Sequence, residues 1–310
     1  MLVKRLVFPH KKEVKVETVN ILGKLKSTEI LIRNVKTFVS AGTELSIYLG
    51  IHTGLKDPKN KWAEYPFYPG YSAAGIVEAV GNSIKDIKPG DRVVSESAHE
   101  SYSIVDISSH STLSIPEGMS FTHASFFKLG DIALNGIRRA KIGLGDSVVI
   151  IGQGLVGQLT LQLAKLSGAG LIIAVDTISQ RLEISRKVGA DYTLNPLRVD
   201  IQKKVDKITN GKKAQVIVEA TGNPKVIPET FKLVRREGKV ILLGSPRGTV
   251  ELDLYTEVHR YGISLIGAHV ATSPSIETDS NPWTTINNQK FILELIRRNS
   301  LQIEPLITHE

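Results

Sequence analysis

Two patterns of apolar and polar positions divide this chain. Up to about residue 115, short runs rich in β-branched residues cover residues 13–19, 29–38, 74–80, 92–95 and 102–105. Clusters of Gly, Pro, Asn and Asp separate them, and no sustained helical period appears. This pattern predicts an antiparallel β domain. From about Phe121 amphipathic helices alternate with fully apolar strands. The helices are predicted over 122–139, 156–167, 180–188, 200–209 and 224–233. The strands are predicted over 148–151, 171–175, 192–194, 216–219, 239–243 and 264–268. Such alternation implies a parallel sheet covered on both faces, hence an α/β fold with a doubly wound sheet. A polar loop with Pro274, Asn281, Pro282 and Trp283 leads to a last helix over 287–298.

Composition narrows the function classes. With 310 residues, 41% of them hydrophobic and 23% charged, the chain has the make-up of a globular protein of two domains. No apolar run approaches the roughly 20 residues of a membrane span. Charges interrupt the N-terminal MLVKRLVF after three residues, which leaves no signal-peptide core, so a cytoplasmic location and no membrane partner are expected. The net charge is +8, but basic doublets such as Lys11-Lys12, Lys203-Lys204 and Arg235-Arg236 are scattered and carry no interleaved aromatics. Nucleic acid is therefore not an expected partner. There is no cysteine, which excludes disulfides, thiolate nucleophiles and thiolate-bound zinc.

The most specific local signal is Gly152-Gln153-Gly154-Leu155-Val156-Gly157, set between the apolar run 148–151 and a helical pattern. A second apolar run, 171–175, ends on Asp176. A glycine turn between strand and helix, with an acidic residue some two dozen positions on, is the pattern of a dinucleotide site. The first glycine makes the turn, the second admits the pyrophosphate, and the third lets helix and strand pack closely. The helix N-terminus presents N–H groups to the phosphates. Asp176 would accept from a ribose diol and repel a 2′-phosphate, so NAD is expected rather than NADP. Thr221, Gly222, Gly244 and Ser245 end strands at the carboxyl edge of the sheet, where open α/β sheets bind ligands.

Several stretches resemble the medium-chain dehydrogenases, the zinc-type alcohol dehydrogenase superfamily. They are Pro89-Gly90-Asp91-Arg92-Val93, Gly145-Asp146-Ser147-Val148, the Gly152–Gly157 turn, Gly189-Ala190-Asp191, Glu219-Ala220-Thr221-Gly222 and Gly238-Lys239-Val240. The resemblance runs the length of the chain. It implies a GroES-like β-rich catalytic domain over residues 1–120, completed by 270–310, and a Rossmann NAD-binding domain over 121–269. It also implies that Arg181 contacts the adenosine end of the cofactor, and that the protein is a homodimer or homotetramer paired through the strand near 264–268.

Where that family carries zinc ligands, this sequence departs. Its C-G-[TS]-D stretch reads Ala41-Gly42-Thr43-Glu44, its G-H-E reads Gly70-Tyr71-Ser72, and the next ligand position is Lys128. Four converging N, O or thiolate donors are what zinc requires, so neither a catalytic nor a structural zinc is expected. Ser40–Glu44, Pro69–Gly75 and Pro305–His309 resemble a zinc-lacking branch typified by 2-desacetyl-2-hydroxyethyl bacteriochlorophyllide dehydrogenase. In that frame Ala41, Tyr71, Ser72 and Lys128 share the place of the metal beside the nicotinamide. Lys128 then supplies positive charge, and Tyr71 is a proton donor or acceptor whose pKa the ammonium lowers. The alternative is that Tyr71 fills the vacated space and Lys128 reaches solvent. Thr43 stands where the family places a relay hydroxyl, or else caps local backbone. Glu44 is expected to anchor structure, and His52 and His99 to be isolated.

The expected activity is hydride transfer between NAD(H) and a small secondary alcohol or its ketone, without zinc. Reduction of a quinone or enone double bond and a non-catalytic nucleotide sensor are the alternatives.

Overall fold

The computed structural model describes residues 1–21, 23–109 and 111–309. They form two compact units, Met1–Lys128 and Leu129–Glu310.

In the first unit, β1 (Leu2–Val7) and β2 (Lys15–Asn20) pair as an antiparallel ribbon. After β3 (Glu29–Thr37) comes a short helix, α1 (Thr43–Tyr48), and then β4 (Ala73–Val80), β5 (Arg92–Ser95), β6 (Tyr102–Asp106) and β7 (Thr112–Ser114). Five of these strands make an antiparallel sheet in the order β6-β3-β4-β5-β7. Ile30 and Ile32 alternate inward on β3 and meet Val77, Val93 and Val105. Each such side chain, fully buried, contributes about 1.5–3 kcal/mol. The expected antiparallel β domain is thus present, with α1, the N-terminal β1 and the short β7 added. Six helical residues are too few to show a period, which is why the pattern did not mark α1.

The helix expected over 122–139 is two helices, α2 (Phe121–Ala124) and α3 (Phe127–Ala140). Ser120 caps α2 by accepting from His123 N at 3.1 Å. Ser125 breaks the run, its hydroxyl donating to Thr122 O at 2.7 Å and its carbonyl accepting from the Ser72 hydroxyl at 2.6 Å.

The second unit continues with β8 (Ser147–Ile151), α4 (Leu155–Leu166), β9 (Leu171–Val175), α5 (Ser179–Lys187), β10 (Tyr192–Leu194), α6 (Ile201–Ile208), β11 (Ala214–Glu219), α7 (Ile227–Leu233), β12 (Val234–Leu242), β13 (Ser264–Gly267) and α8 (Thr285–Arg297). The six strands are parallel, in the order β10-β9-β8-β11-β12-β13. The chain winds outward from β8 to β10 and then outward again from β11 to β13. The carboxyl ends of β8 and β11 therefore flank the topological switch point, where ligands bind in sheets of this kind. Val148, Val149 and Ile150 are fully buried, as the unbroken apolar run requires of a central strand.

Of residues 270–310, expected with the β domain, the described residues 270–309 group with this second unit. Asn288 of α8 accepts from Arg138 Nε of α3 at 2.8 Å, and Gln302 N donates to Gln162 Oε1 of α4 at 2.7 Å. Among the described residues no helix is long and apolar enough to cross a membrane.

Candidate functional site

The glycine turn follows β8 directly. Gly152 has φ +93°, a left-handed value that a side chain would strain, and its N–H donates to Val175 O at 2.8 Å. A Cβ on Gly157 would collide with the Gly152 carbonyl, so α4 can start this close to the turn only with glycine there. Gly154, by contrast, has no atom within 4 Å of the place its Cβ would take. It is also the N-cap of α4, and no side chain caps that end. Open space above Gly154 and uncapped N–H groups at Leu155 and Val156 fit a pyrophosphate.

Asp176, buried at the end of β9, accepts from Gln153 N at 2.7 Å and from Ile178 N at 2.8 Å. Arg181 Nη1 lies 3.6 Å from the same carboxylate and is half exposed. Two carboxylate oxygens offer about four acceptor sites, so the carboxylate retains capacity for a diol. Gln153 and Gln158, both buried, knit α4 to α5: Gln158 Nε2 donates to Arg181 O at 2.8 Å and to Ser185 Oγ at 3.0 Å.

Across the switch point, Thr221 and Gly222 are held by Glu219, which is fully buried at the end of β11. Its carboxylate accepts from Thr221 N at 2.7 Å, Gly222 N at 3.2 Å and the Thr221 hydroxyl. Burial pushes the Glu219 carboxyl above the usual carboxylate range, and the three hydrogen bonds work the other way. Gly244 N donates to Glu219 O at 2.8 Å, and a Cβ on Gly222 would stand 2.6 Å from Ser245 O. The expected Thr221, Gly222, Gly244 and Ser245 therefore form one group of strand ends. Glu219, their organiser, had a signal only as part of the family stretch.

In the first unit the residues at the family's metal positions are engaged elsewhere. Ala41 carries no donor. Ser72 is fully buried, and its hydroxyl donates to Ser125 O. Lys128 Nζ donates to Glu96 Oε1 at 2.7 Å. Zinc requires donors that converge on one point, and a methyl, a committed hydroxyl and an ammonium do not make such a set. Among the described residues no three His, Cys, Asp or Glu side chains are grouped to hold a metal.

Tyr71 donates its hydroxyl hydrogen bond to Ser40 Oγ, and Thr43 also hydrogen-bonds the phenol. Burial pushes the phenol above its ordinary value, the bonds to Ser40 and Thr43 pull it down, and the Glu44 carboxylate pushes it up. The expected lowering by Lys128 is thus corrected. The ammonium's partner is Glu96, and desolvation governs the phenol. The fold brings Tyr71 and Thr43 together. Ser40 had a signal only as the first residue of the family-like stretch Ser40–Glu44, and Glu96 had none, being an ordinary surface-type glutamate in sequence.

His99 is the other correction. It is buried, with Nε2 2.8 Å from Glu44 Oε2, and Glu44 Oε1 accepts from Ser40 N at 2.8 Å. Glu44 is structural, as expected, but the histidine expected to be isolated is its partner. His52 accepts from Gly54 N at 3.1 Å through Nδ1 and meets the Trp62 ring edge-on.

Known proteins agree with this organisation. The family model described as "Alcohol dehydrogenase GroES-like domain" matches residues 26–121, and that described as "Zinc-binding dehydrogenase" matches residues 156–284. The chain is 27% identical over 243 residues to the D-guloside 3-dehydrogenase of Escherichia coli, a match covering 78% of this chain and 69% of that one. It is 26% identical to the sorbitol dehydrogenase of Bacillus subtilis, covering 89% of each. The crystal structure of 2R,3R-butanediol dehydrogenase from Bacillus subtilis superposes with a TM-score of 0.81 at 21% identity, covering 99% of this chain and 91% of that one. The chain belongs to the medium-chain, zinc-type alcohol dehydrogenase-like superfamily and is an oxidoreductase of alcohol-dehydrogenase type.

Proposed function

We propose that this protein is an NAD-dependent dehydrogenase that interconverts a small secondary alcohol and its ketone without zinc. The observation that carries the cofactor choice is Asp176, whose carboxylate is bonded to the glycine turn itself. A fixed negative charge there disfavours a 2′-phosphate. Gly154, Leu155 and Val156 would face the pyrophosphate, Arg181 the adenosine end, and Thr221, Gly222, Gly244 and Ser245 the switch point. The bound nicotinamide supplies a hydride acceptor for the carbinol carbon, or a hydride donor to the ketone.

The remaining requirement is the hydroxyl proton. In the metal-dependent relatives' reaction type a Lewis acid eases its loss. Here Tyr71 takes that place, with Ser40 and Thr43 holding its hydroxyl. Because burial keeps the phenol protonated, its ready role is to donate to the carbonyl oxygen during ketone reduction. In alcohol oxidation the same phenol must first lose its proton to solvent. The relatives named D-guloside 3-dehydrogenase and sorbitol dehydrogenase take hydroxyl-rich small molecules by their names, and this supports a hydroxylated small molecule as substrate.

The test is nicotinamide absorbance with the purified chain, NAD or NADP, and a panel of secondary alcohols and polyols. It is run with and without a zinc chelator and accompanied by metal analysis. NAD reduction that survives the chelator, in protein with substoichiometric zinc, is the expected result. Stoichiometric zinc or loss of activity to the chelator overturns the metal-free reading. A preference for NADP overturns the role of Asp176. Turnover confined to enones or quinones moves the activity to double-bond reduction.

A further inference from the structure

The outer edge of the parallel sheet carries a cleft that no part of the proposed reaction uses. It measures about 720 Å³ and lies where β10, α5, α6 and the loop between β10 and α6 meet, wholly within the second unit. Its volume is that of a small-molecule site. On α5, Leu182, Glu183 and Arg186 face it, and these positions share one side of the helix at its 3.6-residue period. Arg181, which approaches Asp176 at the glycine turn, lies on the other side. The cleft and the dinucleotide turn therefore use opposite faces of α5.

The charge of the cleft is one-sided. Arg186, Arg198, Lys204 and Lys207 line it against the single carboxylate of Glu183. None of the four cations has an ion-pair partner among the described residues. Asp206, which lies between Lys204 and Lys207 on α6, is not part of the lining and forms no ion pair among the described residues. Asp200, the N-cap of α6, is spent on capping Lys203 N at 3.1 Å and on the Lys203 ammonium at 3.4 Å. Thr193, also in the lining, has a buried hydroxyl with no hydrogen-bond partner among the described residues. Apolar Leu182 and Leu194 form part of the wall, and the ring of Tyr192 stands half exposed beside them.

We propose that this cleft binds a small ligand bearing two or more clustered phosphate groups, separately from the nicotinamide cofactor. Converging cations in a concavity focus field on an anion, and two of them are guanidinium forks that match phosphate oxygens in pairs. A concave wall suits a small molecule better than a flat polyanion. The Thr193 hydroxyl supplies a donor inside the wall, and Tyr192 offers a face to any ring attached to the phosphates.

The test is calorimetric titration of the full chain, in excess NADH, with ATP and with inorganic tripolyphosphate. One-to-one binding that weakens with added salt is expected. Equal affinities identify the phosphates as the whole ligand, and tighter ATP identifies a nucleoside seated on Tyr192. Both outcomes support the site. The variant Arg198→Glu with Lys207→Glu changes the lining from four cations and one carboxylate to two cations and three carboxylates. It should weaken binding roughly tenfold or more while leaving the circular dichroism spectrum and NADH binding unchanged, since both residues are exposed. Absence of binding, displacement by NADH, or unchanged affinity in the variant overturns the proposal.

Discussion

Asp176 Oδ2 accepts a hydrogen bond from Gln153 N at 2.7 Å, so the acidic residue that ends β9 clamps the middle of the glycine turn that ends β8. One carboxylate thus shapes the glycine turn and, in the function proposed above, also sets the charge met by the ribose.

This dual duty makes Asp176→Ala worse than the loss of one ligand contact. Hydrogen bonds to a charged group contribute about 1.5–3 kcal/mol each, and Gln153 N and Ile178 N would both lose theirs. A lower Tm, an NAD KM raised by roughly tenfold or more, and a smaller preference for NAD over NADP are expected. Thermal melts and steady-state kinetics with both cofactors check this. Unchanged cofactor preference would remove Asp176 from the recognition.

The three glycines of the turn separate packing from binding. Gly157→Ala places a methyl against the Gly152 carbonyl, so the protein should lose stability by several kcal/mol, at the high end of roughly 1–3 for an overpacked site. Gly154→Ala adds a Cβ that meets no protein atom within 4 Å. It should melt near the wild-type temperature yet bind NADH at least tenfold more weakly, as a fluorescence titration would show.

Tyr71→Phe removes one hydroxyl and little volume. Loss of a positioned proton donor costs about 10²–10⁴-fold in rate, whereas stability should change by about 1 kcal/mol. Because the phenol's pKa lies above its ordinary value, the wild-type ketone-reduction rate should be level through neutral pH and fall only in the alkaline range. Alcohol oxidation should rise over that same range. The Phe variant should lose both dependences, and rate profiles against pH decide the matter.

Glu219 links stability to pH with a definite sign. Its carboxyl is raised by burial, so its contribution is fully present below the unfolded value near 4.5 and is lost as pH rises through the folded value. Relative to Glu219→Gln, the wild-type protein should therefore lose stability as pH climbs from below 4.5 into the range above it. Denaturant melts of the pair across this interval give the slope, and parallel curves would refute the assignment.

The periodicities marked most of the strands and helices because they are local properties. The run 171–175 had to be a central strand, since no partly exposed element tolerates five consecutive apolar residues there, and it is β9. The glycine turn was equally legible, because a strand, three spaced glycines and a helix lie within a dozen residues. Family stretches extended this to the strand ends at Thr221 and Gly244.

Pairings between distant residues belonged to the tertiary structure. His99 and Glu44 lie 55 positions apart, and Lys128 and Glu96 lie 32 apart. In sequence each looks like an isolated charge or a possible site residue. The fold brings them together because the segment after β5, which carries Glu96 and His99, packs where it meets Glu44 on α1 and Lys128 on α3. The same holds for Tyr71: its residue type suggested proton transfer, but the direction of its pKa shift depended on how deeply the chain around Ser40 and Thr43 buried it. Elements follow from local spacing, which the sequence by itself determines. Partners and ionisation follow from desolvation and contact across long separations, which only the packed structure decides.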